Sequence, residues 1–236
     1  MTYPTSSTAS DVWSLRDVYK AEAGDDWPEL ATAEFAEFPA PLFDGSGDYL
    51  KTNSSSDFAF GTGDFTMEAW IYPTSVTNTQ GVVSTRLDGT ADTGQIFFGL
   101  SGTDVLYYAG SGNVFSGGTV SANAWSHIAC SRSGSTVRVF LNGTQVATGT
   151  DSDTKTTTFG YIAAGGGDDS QLLTGYVSNA RFNTTALYTS DFLTSFPLTA
   201  VSGTVLLTCQ GSSPFVDNSG TSKTVNVFGD PTLGSA

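Results

Sequence analysis

An all-β sandwich is the fold class this sequence predicts, and three observations predict it. Glycine is plentiful, serine and threonine dominate the polar residues, and charged residues make up only 14% of the chain, a composition of many short strands joined by turns rather than of helical bundles. Strand-like hydrophobic patterning recurs from Pro41 to about Pro197. The 236 residues suffice to bury a sizeable core, and all-β sandwiches of this length routinely form one main domain.

Residues 1–40 differ from the rest of the chain. Thr8-Ala9-Ser10-Asp11 reads as a helix N-cap with an acidic first turn, and Val12, Leu15, Val18 and Tyr19 recur at helical spacing until Gly24. The segment is too short to make a core of its own. Its aromatics Trp13, Tyr19 and Trp27, with Leu15, are therefore expected to rest on the sandwich or to contact another subunit.

In DFTMEAWIY the residues Phe65, Met67, Ala69 and Ile71 fall on one face, and Thr66, Glu68, Trp70 and Tyr72 on the other. The apolar face should meet the core. QIFFGL and VLYYAG are β-rich runs separated by Ser101-Gly102-Thr103-Asp104 and should pair as a hairpin. The clearest hairpin is TVRVFLNGTQVAT, where Asn142-Gly143 suits a type I′ turn and predicts Val139 opposite Val146 and Val137 opposite Thr148. The run Gly165-Gly166-Gly167-Asp168-Asp169 predicts a surface loop, and without a following Lys-Ser/Thr it is no phosphate loop. The sequence shows no internal repeat.

Five segments carry a family resemblance: FDGSGDYL from Phe43, GDFTMEAWIYP from Gly63, WSHIACSRSGSTVRVFLNGTQVA from Trp125, GYVSNARF from Gly175 and ALYTSDF ending at Phe192. In order and spacing they resemble the laminin-G-like, concanavalin A-type jelly roll in the version found in structural proteins of tailed bacteriophages, particularly marine ones. DVWSLRDVYKAEAGDDWP resembles lead-in pieces of bacteriophage appendage proteins. The resemblance implies a non-enzymatic virion component, a tail fibre, head fibre or capsid decoration. It also implies other virion proteins as partners and a homo-oligomer, with three-fold symmetry favoured. Host glycan binding is the alternative it leaves open.

The organisation expected is an anchoring segment over 1–40, a jelly roll over 41–200 and a strand pair over 201–236. The last is a departure from the family. TVLLTCQGSSPFVDNSGTSKTVNVFG looks like the strand, D-x-S-G turn and strand that ordinarily precede the Phe43–Leu50 segment, so the order reads as circularly permuted. Its strands, Val205 to Cys209 and Thr224 to Phe228, are expected to close the sandwich of their own subunit or of a neighbour.

Nine basic against twenty-three acidic residues give a net charge of −14, which disfavours nucleic acid as a partner. The start MTYPTSSTAS has no signal-peptide pattern, and no stretch approaches the ~20 apolar residues of a membrane span, so the expectation is a protein made in a host cytoplasm, located in the virion and not inserted in membrane. Cys130 and Cys209 lie in apolar stretches and are expected to pack as reduced small hydrophobes. The sequons at Asn53, Asn142 and Asn183 read as accidents of a Ser/Thr-rich composition.

Catalysis is not expected. Laminarinases share the fold the resemblance implies, and they carry paired carboxylates in an E-x-D-x-x-E motif; this chain has Glu68 with no second acid nearby. His127, the sole histidine, should face away from Cys130, which argues against a nucleophile pair, and one His with two distant Cys cannot make a zinc site. No cofactor is expected beyond a structural Ca²⁺. The resemblance places that ion near Phe43-Asp44-Gly45 and Asp217-Asn218-Ser219-Gly220, with Asp44, Asp217 and Asn218 as candidate ligands, although Asx-Gly pairs also serve as plain turn formers. Trp70, Tyr72, Tyr107 and Tyr108 are the candidate sugar platform, against the reading that strand aromatics are core.

Overall fold

The computed structural model describes residues 39–86, 92–110, 113–166 and 171–236. All of them belong to the Phe35–Ala236 unit of the chain. The expected N-terminal helix and the candidate contacts Trp13, Leu15, Tyr19 and Trp27 lie outside the described residues.

Among the described residues two antiparallel sheets face each other as a jelly-roll sandwich. The first contains β1 (Ala40–Asp44), β3 (Phe65–Pro73), β8 (Ser126–Ser133), β9 (Thr136–Leu141), β10 (Thr144–Thr150), β12 (Thr174–Asn183), β13 (Thr204–Thr208) and β15 (Thr232–Gly234). Its order is β10-β9-β8-β3-β12-β1-β15, with β13 paired to β12. The second contains β2 (Tyr49–Thr52), β4 (Thr79–Ser84), β5 (Phe97–Ser101), β6 (Asp104–Tyr108), β7 (Val114–Gly117), β11 (Tyr161–Ile162) and β14 (Val225–Phe228), in the order β14-β2-β11-β4-β5-β6-β7. Among the described residues no helix is long and apolar enough to cross a membrane.

Period-2 patterning explains the core. Phe65, Met67, Ala69 and Ile71 of β3 are fully buried between the sheets, with Ile128 and Cys130 of β8 and Val137 and Val139 of β9 beside them. From the second sheet, Leu50, Phe98, Leu100 and Tyr107 fill the other side. Truncating any of the large members to Ala should cost about 2–5 kcal/mol, a large part of the stability of an ordinary domain. Cys130 and Cys209 are buried free thiols, as expected.

The β5–β6 pair forms through Gly102 at φ +60°, with Ser101 opposite Asp104. The β9–β10 turn also has the predicted form, with Asn142 at φ +50° and Gly143 at +80°. Its register differs beyond the turn. A bulge between Gln145 and Ala147 leaves Val146 without a partner, so Val139 faces Ala147 and Val137 faces Gly149. The cause is packing across the sandwich edge, where β10 meets β7. A side chain at Gly149 would begin 1.9 Å from the Phe115 ring, so the register must bring a glycine there.

The C-terminal strands both pair within this chain. Ala180–Asn183 of β12 receive β13, beside the Leu42–Asp44 pairing of β1 on the same edge of the long strand, and β14 pairs with β2. The third strand, β15, was not expected. It pairs Ala40 with Gly234 and extends the first sheet by one strand. Of the expected surface loop over residues 165–169, residues 167–169 lie outside the described residues; Gly165 and Gly166 leave the strand as expected but are buried rather than at the surface, Gly165 so close to Phe97 and Gln171 that a side chain there would collide with them.

Candidate functional site

On the outer face of the first sheet, the strand alternation that sends Met67 inward turns Glu68 outward. It does not reach water. Arg181, its cross-strand neighbour on β12, donates from Nε (2.8 Å) and Nη2 (2.6 Å) to Oε1, while His127 Nε2 and the Tyr188 hydroxyl each lie 2.9 Å from Oε2. Glu68 and His127 are fully buried. Burial pushes the Glu68 carboxyl up, but the His127 hydrogen bond and the charges of His127 and Arg181 outweigh it and hold the group below the ordinary value. Burial and the adjacent Glu68 charge push the Tyr188 hydroxyl up.

The segment after β12 seals this face. Tyr188 stacks on Phe192 at 3.5 Å between ring centres, and Phe192 packs edge-on against His127 and Phe140. Trp70 meets Phe196 edge-on and donates from Nε1 to the Ser195 carbonyl at 3.0 Å. Leu187 N donates to Thr66 Oγ1 (2.9 Å) and Gln145 N to Asp191 Oδ1 (2.8 Å), tying the segment down at both ends. A carboxylate so enclosed cannot exchange protons with a substrate, and among the described residues its polar partners include no second carboxylate. A cleft of about 270 Å³ borders this cover between Phe196, Leu198 and Gln210, but its polar groups are engaged internally: Asn179 Oδ1 accepts from Leu198 N at 2.9 Å and from Gln210 Nε2.

Tyr107 sits between the sheets. It is fully buried, and its hydroxyl donates to Asp151 Oδ2 at 2.5 Å, where Lys155 Nζ also pairs at 2.7 Å. Burial pushes the Tyr107 hydroxyl well up and the Lys155 ammonium down. Tyr107 is therefore excluded as a sugar platform. Trp70 is 8% exposed beneath Phe196, and Tyr72 is held between Trp125 and Tyr176, on the opposite sheet face from Tyr108. The four aromatics do not converge.

Tyr108 alone of the four stands at an open depression. On the outer face of the second sheet a hollow of about 240 Å³ is lined by Thr79, Arg86, Phe97, Leu106, Tyr108 and Gln171. The Arg86 guanidinium lies 5.8 Å from the centre of the half-buried Tyr108 ring and donates from Nη1 to Gln171 Oε1 at 2.9 Å. Phe97, opposite Tyr108 in the β5–β6 register, forms an apolar floor. An aromatic wall with a guanidinium, an amide and a hydroxyl converging on it suits a ring with a hydroxylated rim. Arg86 and Gln171 carried no signal in the sequence, since they meet only when β4 and the chain after β11 converge.

Two of the Ca²⁺ candidates, Asp44 and Asp217, accept backbone hydrogen bonds in turns through their carboxylates. Asp44 Oδ1 accepts from Ser46 N at 2.7 Å. Asp217 accepts from Leu207 N (3.2 Å), Ser219 N (2.8 Å), Lys223 N (2.8 Å) and the Thr221 hydroxyl (3.0 Å), and Asn218 N donates to the Leu207 carbonyl at 2.6 Å. Among the described residues no group of three or more His, Cys, Asp or Glu is arranged to hold a metal ion.

A family model described as the concanavalin A-like lectin/glucanases superfamily, of the third laminin G type, matches residues 44–191. The chain belongs to this superfamily. A solved Bacteroides ovatus protein, to which carbohydrate binding is provisionally ascribed, shares the concanavalin A-like fold at a TM-score of 0.63 and 16% identity, over 84% of this chain and 60% of that one. This chain thus spans less than two thirds of that protein's length. The native heptameric SAP-like pentraxin of Limulus polyphemus aligns at a TM-score of 0.53 and 14% identity, covering 85% of this concanavalin A-like chain and 96% of its own. A search of curated proteins returns no match.

Proposed function

We propose that this lectin-like domain is a non-catalytic binding and display module that contacts glycan at the Tyr108–Arg86–Gln171 depression. The observation that carries the reading is the contrast between its two outer faces. The acid-bearing face of the first sheet is sealed by its own chain, whereas the second sheet keeps an aromatic and hydrogen-bonding hollow open to solvent. The carbohydrate binding ascribed to the Bacteroides ovatus relative supports the same ligand class.

A virion surface is the setting we propose, as a tail fibre, head fibre or capsid decoration beside other virion proteins. Its support is the resemblance of the five sequence segments to tailed-phage structural proteins. We further propose a cyclic homo-oligomer, with three-fold symmetry favoured. Repetition of one shallow site would raise avidity for a repetitive host surface, and the Limulus relative is itself named as a heptamer.

A glycan array with the wild-type protein and Tyr108→Ala tests the binding. Selective hits lost in the variant are expected; no hit at millimolar glycan, or hits indifferent to the substitution, would refute it. Mass spectrometry of purified particles tests the setting, since hundreds of copies per particle mean a capsid decoration and a few dozen or fewer a tail component. Release of reducing sugar from laminarin-type polymers would overturn the non-catalytic reading.

A further inference from the structure

Gln171 enters the Tyr108 depression in a conformation that its residue type disfavours. Its φ is +54°, in the left-handed region that favours glycine. Two hydrogen bonds hold it there. Its carbonyl accepts from Gly81 N at 2.7 Å, which pins the backbone to β4, and its Oε1 accepts from Arg86 Nη1 at 2.9 Å. A Cβ built on Gly165 would lie 2.6 Å from Gln171 Oε1 and 2.7 Å from the Phe97 ring, so the missing side chain at 165 lets the amide adjoin that ring. Backbone strain persists only where the surroundings enforce it, and it concentrates at binding sites.

The Arg86 bond also decides which way the amide is turned. A guanidinium only donates, so the oxygen must face Arg86, and Nε2 becomes the free arm of an exposed side chain. Among the described residues Nε2 makes no hydrogen bond, and neither do the half-buried hydroxyls of Thr79 and Tyr108 on the same depression. Phe97 and Leu106 supply its apolar lining. An N–H donor therefore adjoins an apolar surface. A sugar hydroxyl could use the donor alone, whereas an acetamido group carries a carbonyl acceptor and a methyl in one planar unit. It is also uncharged, so the net charge of −14 does not oppose it.

We infer that Gln171 makes the Tyr108 depression selective for sugars that carry an acetamido group, whose carbonyl accepts from Gln171 Nε2 while its methyl packs on Phe97 and Leu106. This rests on the glycan-binding reading and adds to it the ligand class and the residue that selects it. Arg86 is a positioning residue, acting through the orientation of the amide. Because Gln171 is exposed, water can replace a missing acceptor, and the discrimination is modest rather than absolute.

The test titrates the full chain, by calorimetry and NMR, with two matched pairs: diacetylchitobiose against cellobiose, and methyl N-acetylgalactosaminide against methyl galactoside. Within each pair one sugar has an acetamido group where the other has a hydroxyl. At least one acetamido sugar should bind roughly three- to tenfold more tightly than its counterpart, the scale of one net hydrogen bond. Saturation transfer should be strongest at the acetyl methyl, and the side-chain amide signal of Gln171 should shift. Gln171→Glu keeps the shape and an acceptor for Arg86 but removes the donor, so it should abolish the preference without lowering the unfolding temperature. Tyr108→Ala should weaken both members of a pair. Equal binding within both pairs, or a preference that survives Gln171→Glu, would overturn the inference. The two readings separate cleanly. Glycan binding that is lost in Tyr108→Ala with no acetamido preference leaves only the earlier reading standing, and no binding of any glycan removes both.

Discussion

Glu68 and Arg181 stand directly opposite each other on adjacent antiparallel strands, and the guanidinium commits two N–H groups to a single carboxylate oxygen. Both side chains are buried, so the pair acts as a structural clamp between β3 and β12 rather than as a reactive group. Replacing Arg181 with Met would strand a buried carboxylate, at a cost of about 3–5 kcal/mol. A urea titration should show that loss, while Glu68→Gln/Arg181→Met together should recover part of it.

Acid should weaken the fold through the same carboxylate. The Glu68 carboxyl lies below its ordinary 4.5 despite burial, held there by His127 and Arg181, and Asp217 lies below 3.8 despite its own burial, because hydrogen bonds from Ser219, Lys223 and Leu207 outweigh it. A lowered folded-state value means that the unfolded chain takes up protons first. The contribution is therefore complete above the ordinary values and lost as pH falls through the folded-state ones. Denaturation midpoints should decline below about pH 4.5, and the decline should be shallower in Glu68→Gln.

Both thiols should be silent in the native protein. Burial pushes Cys130 and Cys209 far up, and a neutral, enclosed sulfur is a poor nucleophile. A thiol reagent at neutral pH should label neither until denaturant is added, and then both.

The β9–β10 turn should not tolerate a side chain at Gly143. The residue has φ +80°, and a Cβ there would lie 2.0 Å from the Phe192 carbonyl oxygen, which cannot retreat freely because Phe192 N is bonded to the Gly143 carbonyl at 2.9 Å. Gly143→Ala should cost roughly 1–3 kcal/mol and loosen the cover over Glu68, read as faster hydrogen exchange across residues 187–192.

Adjacent tyrosines should behave oppositely. Tyr107→Phe removes a hydrogen bond to the buried Asp151 and should lower stability by about 1.5–3 kcal/mol with glycan binding intact. Tyr108→Ala should do the reverse, as calorimetry and thermal unfolding on the same samples would show.

Local pattern made much of the sandwich legible. Alternation in β3 placed Phe65, Met67, Ala69 and Ile71 inside, and Asn142-Gly143 placed a turn, because both effects act within a few residues. The register beyond that turn was not legible, since the bulge at Val146 answers to β7 on the other sheet. The sugar candidates failed for a related reason. Period 2 assigns an aromatic to a face, yet it cannot tell whether the face is core, as for Tyr107, covered, as for Trp70, or open, as for Tyr108.

By itself the sequence determined an all-β sandwich, a core of alternating apolar residues, two reduced cysteines and a Glu68 without an acidic partner, and these arise from short-range periodicity, turn chemistry and composition; the concanavalin A type of its jelly roll came from the resemblance of the five segments to a known family. Only the tertiary structure decided which surfaces are available. The segment after β12 folds back to close one sheet, while Arg86 with Gln171, and Tyr49 with Phe228, meet on the other from segments far apart in the chain. Long-range convergence of that kind depends on strand order and register, which residue spacing along the chain does not encode.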